Sequence, residues 1–207
     1  MIGLGGRCQV SHQLRRKFPG YQAQFFDWLI TPDAALVKIL EAGMAGFPDD
    51  LEFKIGQSNK PGIKQMHVVD GAYGTALLHE FEHEEAGPAR QWATSKGKFE
   101  KLTARFHETV QSGGRVLFVR MSFGNPGTFG YDLEDRANGE LGQKISAAIE
   151  RHWPNLDYKL LMISHKAEDV GQEGRVEVVH LPEQIYWIWT GKDAAWDAIL
   201  DQRVRVG

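Results

Sequence analysis

The run Arg115-Val-Leu-Phe-Val-Arg-Met121 decides the fold. It is β-branched and apolar without polar alternation, and too short for a stable helix. It therefore reads as a strand buried on both faces, as in parallel sheets. Tyr158-Lys-Leu-Leu-Met-Ile-Ser-His165 repeats the pattern. Between these runs, Leu141, Ile145, Ala148 and Ile149 recur at helical spacing. Before them, Phe99, Leu102, Phe106 and Val110 mark a helix closed by Ser112-Gly-Gly114. Helix, strand, helix, strand is the signature of an α/β fold: a single domain over residues 1–207 with a mostly parallel central sheet flanked by helices. Met1–Leu4, Val116–Val119 and Lys159–Ile163 are expected as neighbouring or near-neighbouring strands of that sheet.

The remaining elements follow outward from this core. Thr31-Pro-Asp33 supplies an N-cap, a first-turn proline and an early acid for a helix that carries Leu36, Ile39 and Leu40 and stops at Gly43. Leu51–Ile55 and Met66–Val69 read as short strands around the loop Gln57–Gly62. Tyr73–Phe81 fits either a strand or the start of a helix. Val176–Leu181 and Ile185–Trp189 are expected as two further strands at an edge, and Asp193–Asp201 as a closing helix.

Composition narrows the function classes. With 42% hydrophobic and 25% charged residues, the chain has the balance of an ordinary globular protein. Its 24 basic and 27 acidic side chains leave a net charge of −3, which offers no excess to neutralise a phosphate backbone, so nucleic acid is not an expected partner. No apolar run reaches the length of a bilayer span, and no membrane partner is expected. A single cysteine cannot form an internal disulfide. With no leader-like segment before the first strand, a cytoplasmic location is expected.

That cysteine lies in Gly3-Leu-Gly-Gly-Arg-Cys-Gln-Val-Ser-His12, where a short apolar strand meets a helix. Gly5 and Gly6 permit a tight turn, and Val10 and Leu14 then fall four apart on one buried helix face. Cys8 is thereby placed in the first helical turn, at the carboxyl edge of the sheet, where ligands of α/β folds bind. Unpaired N–H groups, the helix dipole and Arg7 would all favour a thiolate there, which is how a nucleophile is made. The plainer alternative is a small buried packing residue. Arg120 ends the central strand at the same edge and is a candidate for binding substrate. Asp27, inside Phe25-Phe-Asp-Trp28, is either turned outward to cap a turn or turned inward and paired.

A cysteine nucleophile needs a base, and eight histidines are available. His107 and His152 lie within amphipathic helical segments and suit packing or surface roles, while His12 is only one helical turn from Cys8. His79 follows an apolar run and is the sharper candidate. His79-Glu-Phe-Glu-His83 also matches H-E-x-x-H, which on a helix would hold zinc with Glu80 as general base. Glu82, the break at Gly87-Pro88 and the lack of a third-ligand motif weigh against it, so no metal is expected.

Taken in order, Leu4-Gly-x-x-Cys8-Gln, Phe26-Asp-Trp28, His79-Glu-Phe81, Leu117-Phe-Val-Arg120 and Trp189-x-Gly-x-Asp193-x-x-Trp196 resemble the DUF1796 family of putative papain-like cysteine peptidases. The resemblance implies a papain-like site with Cys8 as nucleophile and His79 as base. The family usually has aspartate after this histidine, where Glu80 stands here. On a strand Glu80 would point away from His79, so Asp27 is the preferred third member, orienting the imidazole. Backbone N–H groups at Cys8 and Gln9, or the Gln9 side chain, would stabilise an oxyanion. A similar constellation occurs in a capsule-polysaccharide acetyltransferase that uses coenzyme A. A peptide or other small-molecule substrate, a saccharide acceptor with coenzyme A as acyl donor, and a non-catalytic binding role therefore all remain open. Hydrolysis itself requires no cofactor.

Overall fold

The computed structural model describes residues 1–46, 51–57, 64–77, 81, 88–122 and 136–204. In chain order the elements are β1 (Ile2–Gly3), α1 (Cys8–Lys17), β2 (Leu29–Ile30), α2 (Asp33–Glu41), β3 (Leu51–Gln57), β4 (Lys64–Asp70), β5 (Ala76–Leu77), α3 (Pro88–Gln111), β6 (Val116–Met121), α4 (Gly139–His152), β7 (Tyr158–Ser164), β8 (Gly171–Glu173), β9 (Val176–His180), the single turn α5 (Glu183–Tyr186) and α6 (Asp193–Asp201). The central sheet has the order β1-β6-β7-β9-β8. Its first four strands are parallel, with Ile2 opposite Phe118, Val116 opposite Tyr158 and Leu160 opposite Val176; β8 closes the edge antiparallel to β9. The three strands expected as neighbours are adjacent.

Strand periodicity explains why β6 is apolar at every position but Arg120. Val116 and Phe118 face one hydrophobic cluster, shared with Leu160 and Met162 of β7 and with residues of α2, α3 and α4. Val119 and Met121 face a second, with Leu161, Ile163, Val10 and Leu14 of α1, and Trp196 and Leu200 of α6. A strand covered on both faces has no solvent side on which polar residues would be favoured.

A second sheet, of order β2-β5-β4-β3, is antiparallel. Leu51–Ile55 and Met66–Val69 fall inside its hairpin, and the Tyr73–Phe81 segment contributes β5. Leu29, Val68 and Leu77 of this sheet lie in the same cluster as Ile2 and Phe118, so one core runs under both sheets.

Several details differ from the sequence expectation. The helix read from Thr31 begins one residue later, with Pro32 at its N-cap and Asp33 as its first residue. Residues 185–189 do not form a strand. Pro182 instead starts the turn α5, and the carbonyls of Ile185, Tyr186 and Ile188 accept from the buried Gln9 side chain. Tertiary hydrogen bonds here take the place of a strand ladder, which alternation of side chains cannot foresee. The run expected over Val176–Leu181 forms β9 (Val176–His180), one strand in from the edge, because β8 covers it. Residues 58–62 of the expected loop, and most of the stretch 78–87, lie outside the described residues.

Candidate functional site

The turn that presents Cys8 is fixed by close packing. Gly5 and Gly6 have φ of 68° and 85°, the left-handed region that favours glycine. A Cβ on Gly6 would stand 2.0 Å from the Met121 carbonyl oxygen, so only glycine lets this turn settle onto the end of β6. Arg7 follows in extended conformation as N-cap, and Cys8 is the first residue of α1. It is thus positioned as the sequence predicts, beyond the carboxyl end of β1.

Its electrostatics differ from the expectation. Burial, the largest influence, pushes the Cys8 thiol above its ordinary value, and the nearby Asp27 carboxylate adds to this. Arg7 and the backbone N–H of Cys8 itself pull it down. The helix terminus and the guanidinium act in the foreseen direction, but desolvation of a thiolate outweighs them. Alkylation of Cys8 by iodoacetamide is therefore expected to rise with pH along a curve displaced above the value of about 8.5 for an unperturbed thiol. Rate measurements between pH 6 and 10 check this, and a plateau already reached at pH 7 would show the opposite balance.

Asp27 follows the inward, paired reading of the two posed for it. Its carboxylate is turned inward, and it also closes a turn by accepting the Gln24 N–H at 3.0 Å. Ser11 Oγ donates to it at 2.7 Å and Tyr21 Oη at 3.0 Å. A Cβ on Gly3 would lie 3.1 Å from the same oxygen, which places the carboxylate against β1. Despite these donors, burial raises the Asp27 pKa above the ordinary carboxyl value. The consequence for stability has a definite sign. A raised folded pKa means that ionisation opposes folding, an opposition absent below the unfolded value of about 4 and fully present above the folded one. In Asp27→Asn the carboxamide oxygen can keep the Gln24 N–H while the two hydroxyls rotate to accept. The variant is expected to gain stability relative to the parent as pH rises from 4 toward 7. Thermal melts of both proteins across that range check this, and curves that stay parallel would refute it.

Arg7 lies near Cys8 but spreads sideways. Its guanidinium carbon is 4.8 Å from the ring centroid of Trp187 and 5.2 Å from that of Tyr186, and Nη2 is 3.5 Å from the Trp187 carbonyl oxygen. His165, just beyond β7, packs on the same two rings, at 4.8 Å from Tyr186 and 5.5 Å from Trp187. Burial and the neighbouring Lys166 lower its pKa.

Two expected binding residues have other work. Gln9 is fully buried: Nε2 donates to the carbonyls of Ile185, Tyr186 and Ile188, and Oε1 accepts from Trp196 Nε1 at 3.0 Å. Its carboxamide is a clamp between α1 and the C-terminal segment, and both its ends are committed there. Gly191 belongs to this clamp, since a Cβ there would stand 2.6 Å from Trp196 Nε1. Arg120 is also fully buried. It falls on the Val116–Phe118 face of β6 and donates to Leu4 O at 2.9 Å, to Thr31 O at 2.8 Å and to the Asp33 carboxylate, which also accepts from Ser122 Oγ at 2.9 Å. It braces the turn before Cys8 from beneath rather than facing a substrate.

Arg7 and Asp27 are thus each brought within electrostatic range of Cys8, while Gln9 and Arg120 serve the frame. His79, Glu80 and His83 lie outside the described residues. Among the described residues no group of three or more potential ligands is placed to hold a metal ion, and no helix is long and apolar enough to cross a membrane. Sequence reasoning missed Ser11 and Tyr21. Ser11 lies three residues after Cys8, on the helix itself, but its bond to Asp27 depends on how the aromatic segment folds back.

A family model described as "Putative papain-like cysteine peptidase (DUF1796)" matches residues 1–168. No curated protein and no solved structure matches the chain.

Proposed function

Since the chain belongs to the DUF1796 family of putative papain-like cysteine peptidases, we propose that it is a thiol-dependent hydrolase of peptide or related acyl bonds, with Cys8 as its nucleophile. One observation carries this reading: the chain's single cysteine opens a helix on a glycine turn at the carboxyl edge of a parallel sheet, with a guanidinium and a buried carboxylate beside it. Cys8 Sγ attacks the substrate carbonyl carbon, and the thiol proton passes to a base. The acyl–nitrogen bond then breaks, with the departing amine taking up that proton. Water hydrolyses the thioester, releasing the acid and restoring the thiol. Because burial holds Cys8 toward the thiol, the base removes its proton during attack rather than beforehand. His79 fills that role in this proposal, and Asp27 is a positioning residue.

The test is acyl-enzyme formation with an activated ester such as p-nitrophenyl acetate, followed by mass spectrometry. One acetyl group is expected on the Cys8 peptide, accumulating roughly 10²-fold or more slowly in His79→Ala. Acetylation spread over lysines with Cys8 untouched would overturn the assignment. Discharge of the acetyl group to a sugar hydroxyl in preference to water would turn the reading toward a transferase.

A further inference from the structure

The side chains on either side of Cys8 reach the same short segment. Arg7 lies against the rings of Tyr186 and Trp187, and Gln9 grips the backbone from Ile185 to Ile188. This segment is thus held as a wall next to the cysteine, and it lies beyond residues 1–168, the span of the family model. On it stand Ile188 and Trp189, 38% and 61% exposed, which with Val170 are the large hydrophobic side chains exposed among the residues whose side-chain burial is described. The Trp189 ring packs edge-on against His12 at 5.3 Å. His12 is four residues after Cys8 in α1, and such positions share a helix face about 5–6 Å apart.

Several polar groups around this patch are already used. Gln13 Nε2 donates to Thr190 O at 2.6 Å and to Asp193 Oδ1 at 3.0 Å, and its Oε1 accepts from Arg16. The Trp187 indole N–H donates to Glu183, and the Gln9 carboxamide is committed at both ends. A saccharide needs several unspent donors and acceptors beside a ring platform. What this wall offers is apolar surface.

We propose that Ile188 and Trp189 are specificity-determining residues, forming a subsite for an apolar or aromatic side chain on the acyl part of the substrate. The assignment rests on the reading of Cys8 as nucleophile. With the acyl carbon at Sγ, a side chain one or two bonds further along packs on Ile188 and Trp189 and leaves water, whereas a charged side chain gains nothing there.

The experiment compares the rates at which iodoacetamide and N-(2-phenylethyl)iodoacetamide alkylate Cys8 in the intact chain. In each case sulfur forms the bond to the methylene carbon, iodide leaves and the thiol proton passes to solvent. The phenylethyl reagent is expected to react about 10-fold faster or more at subsaturating concentration. Ile188→Ser with Trp189→Ser is expected to bring the two rates together, read as the ratio of the phenylethyl to the iodoacetamide rate within each protein. Trp189→Phe is expected to keep the preference, and Val170→Ser to have no effect. Both replaced side chains are solvent-exposed, and far-ultraviolet circular dichroism verifies that the double variant is folded. Equal rates in the parent protein, or a preference that survives the double variant, would overturn the subsite while leaving Cys8 reactive. Failure of both reagents to label Cys8 would instead remove the nucleophile reading, and the subsite with it.

Discussion

Arg120→Ala is expected to cost about 3–5 kcal/mol of folding free energy, because it removes one partner from a buried ion pair and strands the groups the other served. Arg120 is inaccessible to solvent and the Asp33 side chain nearly so. Its guanidinium joins three elements: Leu4 O at the end of β1, Thr31 O before α2, and the Asp33 carboxylate in the first turn of α2. Without it, two carbonyls and a carboxylate stay buried with fewer donors, each carrying part of its desolvation penalty. Against a total stability of roughly 5–15 kcal/mol, such a loss leaves the protein partly unfolded on mild warming. Denaturant titration followed by the fluorescence of the six tryptophans measures it. Replacing both partners, Arg120→Met with Asp33→Leu, is expected to recover much of the loss, since an apolar pair leaves no charge buried alone. A loss under 1 kcal/mol in Arg120→Ala would mean that water reaches the site.

Cys8→Ala is expected to lower peptide or ester turnover by about 10⁴-fold or more, because the thioester path is closed and only binding and backbone donors remain. The same variant is expected to keep its melting behaviour within about 1 kcal/mol of the parent, since Cys8 is half-buried and the change removes a single atom. Arg120→Ala weakens the frame and Cys8→Ala the chemistry, so the pair separates stability from catalysis. Turnover that survives in Cys8→Ala would return the cysteine to a packing role.

The chain's sequence by itself determined the parallel core. In Arg115–Met121 and Tyr158–His165 the apolar positions are demanded by burial on two faces, and such runs carry their environment in their composition. Helix boundaries tied to caps and glycines were also legible: α6 runs over Asp193–Asp201 as read, and α1 opens at Cys8 because Gly5 and Gly6 must precede it. The family was legible as well, since its motifs are ordered along the chain.

Only the tertiary structure decided what the polar residues do. Arg120 looked available at the edge of the sheet, but its parity on β6 sends it into the core, where Asp33, 87 residues away, pairs with it. Gln9 looked like an oxyanion donor, yet its carboxamide is spent on carbonyls about 180 residues along the chain. The same contacts turned residues 185–189 from an expected strand into a wall beside Cys8. Whether a thiolate forms at a helix terminus is likewise a competition between a local dipole and desolvation, and desolvation is set by everything packed around the group. Apolar periodicity records which face is buried. It carries no information about which distant donor or acceptor will be waiting there, because hydrogen bonds between remote segments form only once the chain has closed around them.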